Sequence, residues 1–359
     1  MGSSPFMSPG SSRARRAPAH RRRRRLIAAA AVATVLLAAL LLGAVLVGEG
    51  SEPRGAQRAP AQARASTPPP PQLSPAGVPL ARPAFPLSGL RTPALDPVHL
   101  AFHHPPRAGM LFNLGTGAVL WERNPLKRLR IASLTKMMTA LIAVRAAAPN
   151  AQVLVHRDDV EAPGSKIGEL TAGRRVLLET MLYGLLLPSG NDAADAIAEH
   201  VSGTIPRFVA RMNEEAARLG LACTRFASPS GFVDAGNFSC PADLAVLARL
   251  DLEQRRLRRI VATRYAVLPF PIKGGKLYLT NINPLLPSHY PGLTGLKTGE
   301  TDAAGRCYVA TAERDGVSLA AIVLHSPAPA NQARKLLDAA FAHVYHQRPL
   351  AEERLPPFA

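Results

Sequence analysis

Positions 131–139 read Ile131-Ala132-Ser133-Leu134-Thr135-Lys136-Met137-Met138-Thr139, with a hydroxyl three residues before an amine. Residues three apart on a helix share one face, so the side chains of Ser133 and Lys136 can meet. A serine becomes a nucleophile when a base takes its proton, and a lysine whose pKa is lowered by burial can be that base. The apolar residues after Lys136 predict a buried helix over Ser133–Val144. Ser133 and Lys136 are therefore candidate catalytic residues, although a surface serine and lysine would give the same pattern.

A second polar group follows 56 residues after Ser133, where Ser189, Gly190 and Asn191 come directly after Pro188. This tripeptide breaks the helical pattern between two predicted helices, Val176–Leu187 and Asp192–Val201. A loop there can place polar side chains in a cleft, where Ser189 could relay a proton and Asn191 could hold Lys136 and the substrate backbone. Taken alone, the tripeptide is also compatible with a helix-helix turn capped by Asn191 or Asp192.

A third group, Lys297-Thr298-Gly299, lies 108 residues after Ser189 at the end of the predicted strand Leu293–Lys297. Lys297 could lower the pKa of Lys136 by like-charge repulsion and attract a substrate carboxylate. The hydroxyls of Thr298 and Thr301 could donate to the same carboxylate. Gly299 permits an extended peptide to pair with this strand.

The surrounding pattern predicts an α+β domain over residues 97–350. A hairpin is expected near its start, Ala108–Leu114 with Ala118–Glu122, and strands return after residue 265. Helices occupy the middle, which indicates an antiparallel sheet formed by both ends of the domain, with a helical insertion and a site between the two halves. The further predicted elements are helices Pro206–Leu219, Pro241–Ile260 and Asn331–Tyr345 and strands Tyr265–Phe270, Lys276–Asn281, Arg306–Ala312 and Val317–Leu324.

The three groups, in this order and these contexts, are far more specific together than apart. S-x-x-K, S-D-N and K-T-G are typical of penicillin-binding proteins and class A β-lactamases, and here the second motif is Ser-Gly-Asn. From Asp96 to Tyr345 the chain resembles the serine D-alanyl-D-alanine carboxypeptidases, the low-molecular-weight penicillin-binding proteins of peptidase family S11. The resemblance rests on residues 131–139, 188–194 and 295–299, with Thr301, Ala304 and Gly305.

This resemblance implies a β-lactamase/transpeptidase-like fold and removal of the terminal D-alanine from peptidoglycan stem peptides through an acyl-enzyme on Ser133. It implies Lys136 as base, Ser189 and Asn191 as relay and clamp, and Lys297 with Thr298 as carboxylate site. The oxyanion hole would be the backbone N–H groups of Ser133 and Glu300. β-Lactams would be covalent inhibitors, and no cofactor or metal is expected.

Two alternative functions share this chemistry. A D,D-endopeptidase would cut peptidoglycan crosslinks with the same residues. A β-lactamase usually positions its deacylating water with a glutamate after the second motif, but residues 216–252 contain no glutamate. From a different class, a catalytically silent cell-wall binder or β-lactam sensor is disfavoured because every motif side chain is present.

The chain has 359 residues and a formal net charge of +18, which at first suggests a nucleic-acid binder. Residues 1–97 alone carry 13 of the 43 basic and 3 of the 25 acidic residues, so most of the excess is in this segment. The remainder is the mixed surface of an ordinary enzyme, and no nucleic-acid partner is expected.

The charged tail adjoins an apolar run. Residues 26–48 form 23 uncharged residues, about 34 Å as a helix, which predicts a transmembrane signal anchor, with a cleaved signal peptide as the rival. The basic residues 1–25 would remain cytoplasmic and the catalytic domain extracytoplasmic, in a single-pass cell-membrane protein. Residues 49–96, rich in proline and alanine, predict a disordered linker, and residues 351–359 a tail.

Three cysteines occur. Cys223 and Cys240 could form a disulfide in an oxidising exterior, but two buried free thiols would fit as well. Cys307 is expected to be a small core residue.

Overall fold

The structure is a computed structural model that describes residues 72–90, 92–232 and 235–346. Within these ranges no helix is both long and apolar enough to cross a membrane. The predicted basic tail 1–25, the anchor 26–48, the start of the linker and the tail 351–359 lie outside the described residues.

Five antiparallel strands form the main sheet, in the order β2-β1-β11-β10-β9. Two come from the start of the domain and three from its end, and β1 joins the halves by pairing Ala108 with Leu324 and Asn113 with Leu319. This confirms the predicted antiparallel sheet built from both ends of an α+β domain. The strands are β1 Ala108–Asn113, β2 Val119–Arg123, β3 Leu129–Arg130, β4 Gln152–Leu154, β5 Arg175–Leu177, β6 Phe238–Ser239, β7 Tyr265–Pro269, β8 Lys276–Thr280, β9 Leu293–Thr301, β10 Gly305–Arg314 and β11 Val317–Leu324.

Both faces of this sheet are covered, and alternate residues of its three central strands, β1, β11 and β10, enter different cores. On β1, Met110 and Phe112 pack into the core shared with the helical insertion, whereas Leu111 packs into a second core with Leu336 and Phe341 from the C-terminal helical segment. This period-2 alternation is what a strand buried on both sides requires. The helices are α1 Lys136–Ala146, α2 Arg157–Glu161, α3 Leu178–Leu186, α4 Asn191–Ser202, α5 Ile205–Arg218, α6 Pro241–Glu253, α7 Arg255–Ala262 and α8 Pro329–Ala339.

The helix prediction for residues 241–260 was wrong. The sequence predicted a single helix over Pro241–Ile260, but the chain becomes extended at Gln254 (φ −76°, ψ 106°), which separates α6 from α7. The break turns the apolar residues of α7 into the core while Arg256 pairs with Glu179 through Nε at 3.0 Å from Oε2. Helical periodicity continues through Gln254, so the sequence offered no signal for this turn.

The predicted linker also differs from the structure in the part that is described. Residues 72–90 and 92–96 lie against the folded domain: Ala84 donates its N–H to the carbonyl of Leu219, and Val119 donates to the carbonyl of Ser88. The folded region therefore begins well before residue 97. Three apolar side chains of this segment pack on the core: Phe85, Leu87 and Leu90.

Cys223 and Cys240 form a disulfide with a Cα–Cα distance of 5.7 Å and a sequence separation of 17 residues. This resolves the alternative that the sequence left open. A crosslink closing a loop of this length contributes about 3 kcal/mol to the free energy of unfolding. Cys307 is buried on β10, as expected of a small core residue.

Candidate active site

Ser133 lies in a short 3-10 turn, Ala132–Thr135, that leads into α1. The sequence predicted an ordinary helix from Ser133, but Ala132 has a positive φ of 46°, a strained conformation that residues other than glycine adopt rarely. This turn buries Leu134 and Thr135 and leaves Ser133 half-buried at the cleft.

Gly231 lies directly against this turn. A Cβ atom there would fall 2.0 Å from the carbonyl oxygen of Ala132 and 2.5 Å from Oγ1 of Thr135. Gly231 also has φ +79°, so two separate constraints favour glycine at this position. The segment that carries Gly231 can therefore approach the serine turn closely enough to contribute to its surroundings.

Lys136 has a fully buried side chain at the first residue of α1. Its Nζ lies 2.9 Å from Oγ of Ser133, 2.6 Å from Oδ1 of Asn191 and 2.9 Å from the carbonyl oxygen of Ser230. The last two atoms are acceptors only. A neutral amine can donate one N–H to each of them and direct its lone pair at the Ser133 hydroxyl.

The electrostatic surroundings favour that neutral form. Burial lowers the pKa of Lys136 well below its usual range, and the positive charge of Lys297 lowers it further. Asp195 and Asp192 act in the opposite direction by attracting the ammonium form. Asp195, on α4, was not singled out from the sequence, because only the packing of α4 against α1 brings it near Lys136.

A separate loop holds Asn191 and Ser189, and it is fixed from one side by residues 163–167. Asn191 donates its Nδ2 to the carbonyl of Pro163 at 2.6 Å and its backbone N–H to Ser165 at 2.7 Å. Ser165 in turn donates Oγ to the carbonyl of Ser189 at 2.7 Å. Ser189 itself has φ +67°, which turns the chain between α3 and α4. These contacts orient the Asn191 amide so that its oxygen faces Lys136.

Lys297 is buried on β9 and approaches the same loop from the sheet. Its Nζ lies 2.9 Å from Oγ of Ser189 and 3.0 Å from the carbonyl of Thr298. Burial lowers the pKa of Lys297 to about 7. Two lysines, one from the helical half and one from the sheet, therefore contact the two serines of the cleft.

Strand β9 passes next to the serine turn because residue 299 is glycine. A Cβ atom on Gly299 would lie 3.0 Å from the backbone N of Ser133 and from the carbonyl of Ile131. Thr298 is buried beside it and Glu300 is exposed. Thr301 is half-buried, and its Oγ1 accepts the N–H of Ala304 at 3.1 Å, which shapes the turn into β10.

All predicted site residues thus belong to one cleft or to the strand beside it. The contacts that the sequence did not predict are mostly backbone carbonyls, those of Pro163 and Ser230, which no side-chain motif can signal. The sequence also did not identify Phe232, which lies near the cleft. Its exposed ring lies within 2.8 Å of where a Cβ on Gly164 would be.

The variant Lys297→Met tests the effect of burial on the charge of Lys297. An unfolded lysine keeps its usual pKa of 10.5, whereas burial lowers the folded value to about 7, so between these pH values the unfolded chain binds more protons. The free-energy cost of burying the charged Lys297 therefore lowers the stability fully below pH 7, and this cost disappears as the pH rises toward 10.5. We expect Lys297→Met to raise the free energy of unfolding at neutral pH by about 1–3 kcal/mol, part of the gain being offset by the hydrogen bond that Ser189 loses.

Urea unfolding at neutral pH and near pH 10 measures this difference, which should shrink at the higher pH. Lys273→Met, at an exposed lysine, is the matched control and should show neither effect. A Lys297→Met variant that is less stable than the unchanged protein at neutral pH would contradict the buried-charge argument.

An antiparallel sheet with a serine-lysine pair, a Ser-x-Asn loop and a Lys-Thr-Gly strand around one cleft defines the class of penicillin-binding acyl-transfer enzymes. Peptidase S11, described as D-alanyl-D-alanine carboxypeptidase, matches residues 100–328. The chain belongs to this family.

Individual relatives agree with that assignment. D-alanyl-D-alanine carboxypeptidase DacF of Bacillus subtilis is 33% identical over 255 residues, covering 69% of this chain and 64% of the relative. A Streptomyces D-alanyl-D-alanine carboxypeptidase is 32% identical over 252 residues, covering 65% of this chain and 86% of the relative. The chain thus spans less than two thirds of the first relative but most of the second.

Solved structures show the same fold. The Streptomyces K15 DD-transpeptidase superposes with a TM-score of 0.63 at 30% identity, covering 68% of this chain and all of that one. The D-alanyl-D-alanine carboxypeptidase of Mycobacterium tuberculosis H37Rv gives a TM-score of 0.63 at 28% identity, covering 72% of this chain and 98% of that one.

Proposed function

We propose that this protein is a serine-type D-Ala-D-Ala carboxypeptidase that trims the terminal D-alanine from peptidoglycan stem peptides and is acylated by penicillins. The observation that carries the proposal is the arrangement around Lys136 Nζ, which has two acceptor-only neighbours and the Ser133 hydroxyl as its third partner. Only a hydroxyl can give a proton to the amine, so this geometry aims the base at Ser133.

In the first half of the reaction, the Ser133 Oγ–H proton passes to Lys136 as Oγ attacks the carbonyl of the penultimate D-alanine. The negative charge that develops on the substrate's carbonyl oxygen would be stabilised by the backbone N–H groups of Ser133 and Glu300. The bond to the terminal D-alanine then breaks, and the departing amine takes the proton held by Lys136, which Ser189 would relay after its hydroxyl turns from Lys297 toward the cleft. This leaves the shortened peptide as an ester on Ser133.

Water completes the cycle. Lys136 again accepts a proton as the water attacks the ester, and Ser133 regains its hydrogen when the shortened peptide leaves with a new carboxylate. Each turnover thus consumes one water and releases one D-alanine. The chain's own residues supply every proton transfer in this scheme.

Recognition of the substrate's end would fall to β9. Lys297 attracts the terminal carboxylate, Thr298 and Thr301 donate hydroxyls to it, and Gly299 leaves room for the peptide to pair with the strand. Asn191 holds Lys136 through its oxygen. Only the backbone of Glu300 is required for the oxyanion hole, and its exposed side chain would affect substrate preference.

The experiment is mass spectrometry of a stem pentapeptide ending in D-Ala-D-Ala after incubation with the full-length protein. We expect loss of one alanine, and no product with Ser133→Ala. Cleavage of crosslinked dimers alone would support the D,D-endopeptidase. Transfer of the acyl group to an added amine would support a transpeptidase, the activity named for the Streptomyces K15 structure. Penicillin labelling without any turnover would support a sensor.

We further propose that residues 26–48 anchor the protein in the cell membrane with residues 1–25 in the cytoplasm and the enzyme outside. The uncharged apolar run next to eight arginines supports this orientation. Deletion of residues 1–48 should release the protein from the membrane fraction, and an unchanged distribution would overturn the proposal.

A further inference from the structure

A second cluster of side chains with metal-binding chemistry lies outside the serine-lysine site. It consists of His156, which precedes α2, Asp159 in the first turn of α2, and Glu199 near the end of α4. One donor atom from each residue lies within 4.8 Å of the others. His156 Nδ1 contacts Oε2 of Glu199 and is 3.7 Å from Oδ2 of Asp159. The cluster is separate from the catalytic site, since among the described residues none of its members contacts Ser133, Lys136 or Lys297.

One oxygen of the Asp159 carboxylate lacks a hydrogen-bond partner among the described residues. The residue is 1% exposed, and its Oδ2 accepts the backbone N–H of His156 at 2.7 Å. Its Oδ1 is buried and has no hydrogen-bond partner among the described residues. Leaving a buried carboxylate oxygen unpaired is unfavourable, so such an atom calls for an explanation.

Charge is also out of balance at this position. Two carboxylates, Asp159 and Glu199, share a single imidazole, which can supply at most one positive charge. Asp195, one turn before Glu199 on α4, adds a third acidic group close enough to interact with both. A divalent cation would neutralise the excess and give Oδ1 of Asp159 a partner.

We propose that His156, Asp159 and Glu199 form a binding site for a divalent cation of the zinc class. One imidazole nitrogen with two carboxylates is a donor set that suits zinc better than magnesium or calcium, which prefer oxygen ligands alone. The His156 side chain is 50% exposed, which leaves an entry path from solvent and a fourth position for water.

The site would be structural, not part of the acyl-transfer chemistry. Glu199 is eight residues after Asn191 on α4, about 12 Å along the helix axis. A bound cation would tie α2 to α4. The segment that follows α2 carries Pro163 and Ser165, whose contacts hold the Asn191 loop, so metal binding would stabilise the framework of the cleft from behind.

The experiment titrates the full-length, chelator-treated protein with Co²⁺, whose visible absorption bands report coordination by nitrogen and oxygen, and then displaces it with Zn²⁺. We expect one equivalent to bind. His156→Gln and Glu199→Gln should each weaken binding by about tenfold or more. Asp158→Asn is the matched control, because it removes one exposed carboxylate from the same helix without removing a ligand.

A second measurement protects the test from folding defects in the variants. Zn²⁺ should raise the Tm of the unchanged protein and of Asp158→Asn, because a ligand that binds only the folded state stabilises it, but should not raise the Tm of His156→Gln. Equal affinities in all variants, or no saturable Co²⁺ spectrum in the unchanged protein, would overturn the proposal. Neither readout depends on peptidase activity, so the metal site can fail while the proposed function stands.

Discussion

Replacing Ser133 by alanine is expected to abolish covalent labelling by a fluorescent penicillin and release of D-alanine. The variant lacks the only hydroxyl that lies within hydrogen-bond distance of Lys136 Nζ among the described residues. Ser189 cannot substitute easily, because its Oγ is bonded to Lys297 at 2.9 Å. Loss of a serine nucleophile lowers kcat by a factor on the order of 10⁶ in a well-studied serine protease, so labelling should fall below detection.

The measurement is fluorescence of the full-length protein on a denaturing gel after incubation with the penicillin. Ser133 is half-buried and the substitution removes one oxygen, so Tm should change little. Ser318→Ala, in the half-buried start of β11, is the control and should label normally. Undiminished labelling of Ser133→Ala in a folded protein would identify another nucleophile and overturn the assignment of Ser133.

Side-chain chemistry at the site was predictable because each group is marked by spacing in the sequence. Ser133 and Lys136 are three residues apart, and Lys297 follows an apolar pattern that predicts a strand, which the structure extends to Thr301 as β9. The contacts that complete the site were not predictable. Ser230 is 94 residues from Lys136 and contributes a backbone carbonyl, which every residue type possesses. Only tertiary packing determines which carbonyl reaches the amine.

Local backbone geometry was the second feature of the site that the sequence did not predict. The sequence predicted a regular helix from Ser133, and the periodicity of the following residues supports one. The structure has a 3-10 turn with a positive φ at Ala132, where Gly231 and Gly299 press against the same turn. Strain of this kind is maintained by surrounding contacts, so local sequence preferences do not reveal it.

The N-terminal boundary of the domain illustrates how composition can mislead. Prolines and small residues over 49–96 are typical of disordered linkers, since they bury little apolar surface on their own. Residues 72–90 nevertheless pack against the catalytic domain. Pro83 lies so close to Gly220 that a Cβ atom on residue 220 would be 2.7 Å from the Cα of Pro83. Proline loses little conformational entropy on ordering, which helps a short segment to pack on a surface already formed.

The second large effect is expected from Lys136→Met, which replaces the amine by an apolar group on a side chain of similar length. Acylation by penicillin should slow by a factor of about 10²–10⁴, the usual contribution of a positioned general base. Because Ser133 remains, prolonged incubation should still give some labelled protein. This residual reaction distinguishes the variant from Ser133→Ala, and Lys273→Met should label at the normal rate.

The pH dependence of acylation provides the sharper test of the role of Lys136. Burial and the charge of Lys297 lower the pKa of Lys136, so the reactive neutral amine should appear as the pH rises through that lowered value. In the proposed mechanism the charged form of Lys297 attracts the carboxylate, and its pKa of about 7 means that this charge is lost as the pH rises through that value. Initial labelling rates over a pH series should therefore pass through a maximum in the unchanged protein and lose the acidic limb in Lys136→Met. An acidic limb that persists in the variant would show that another group accepts the proton from Ser133.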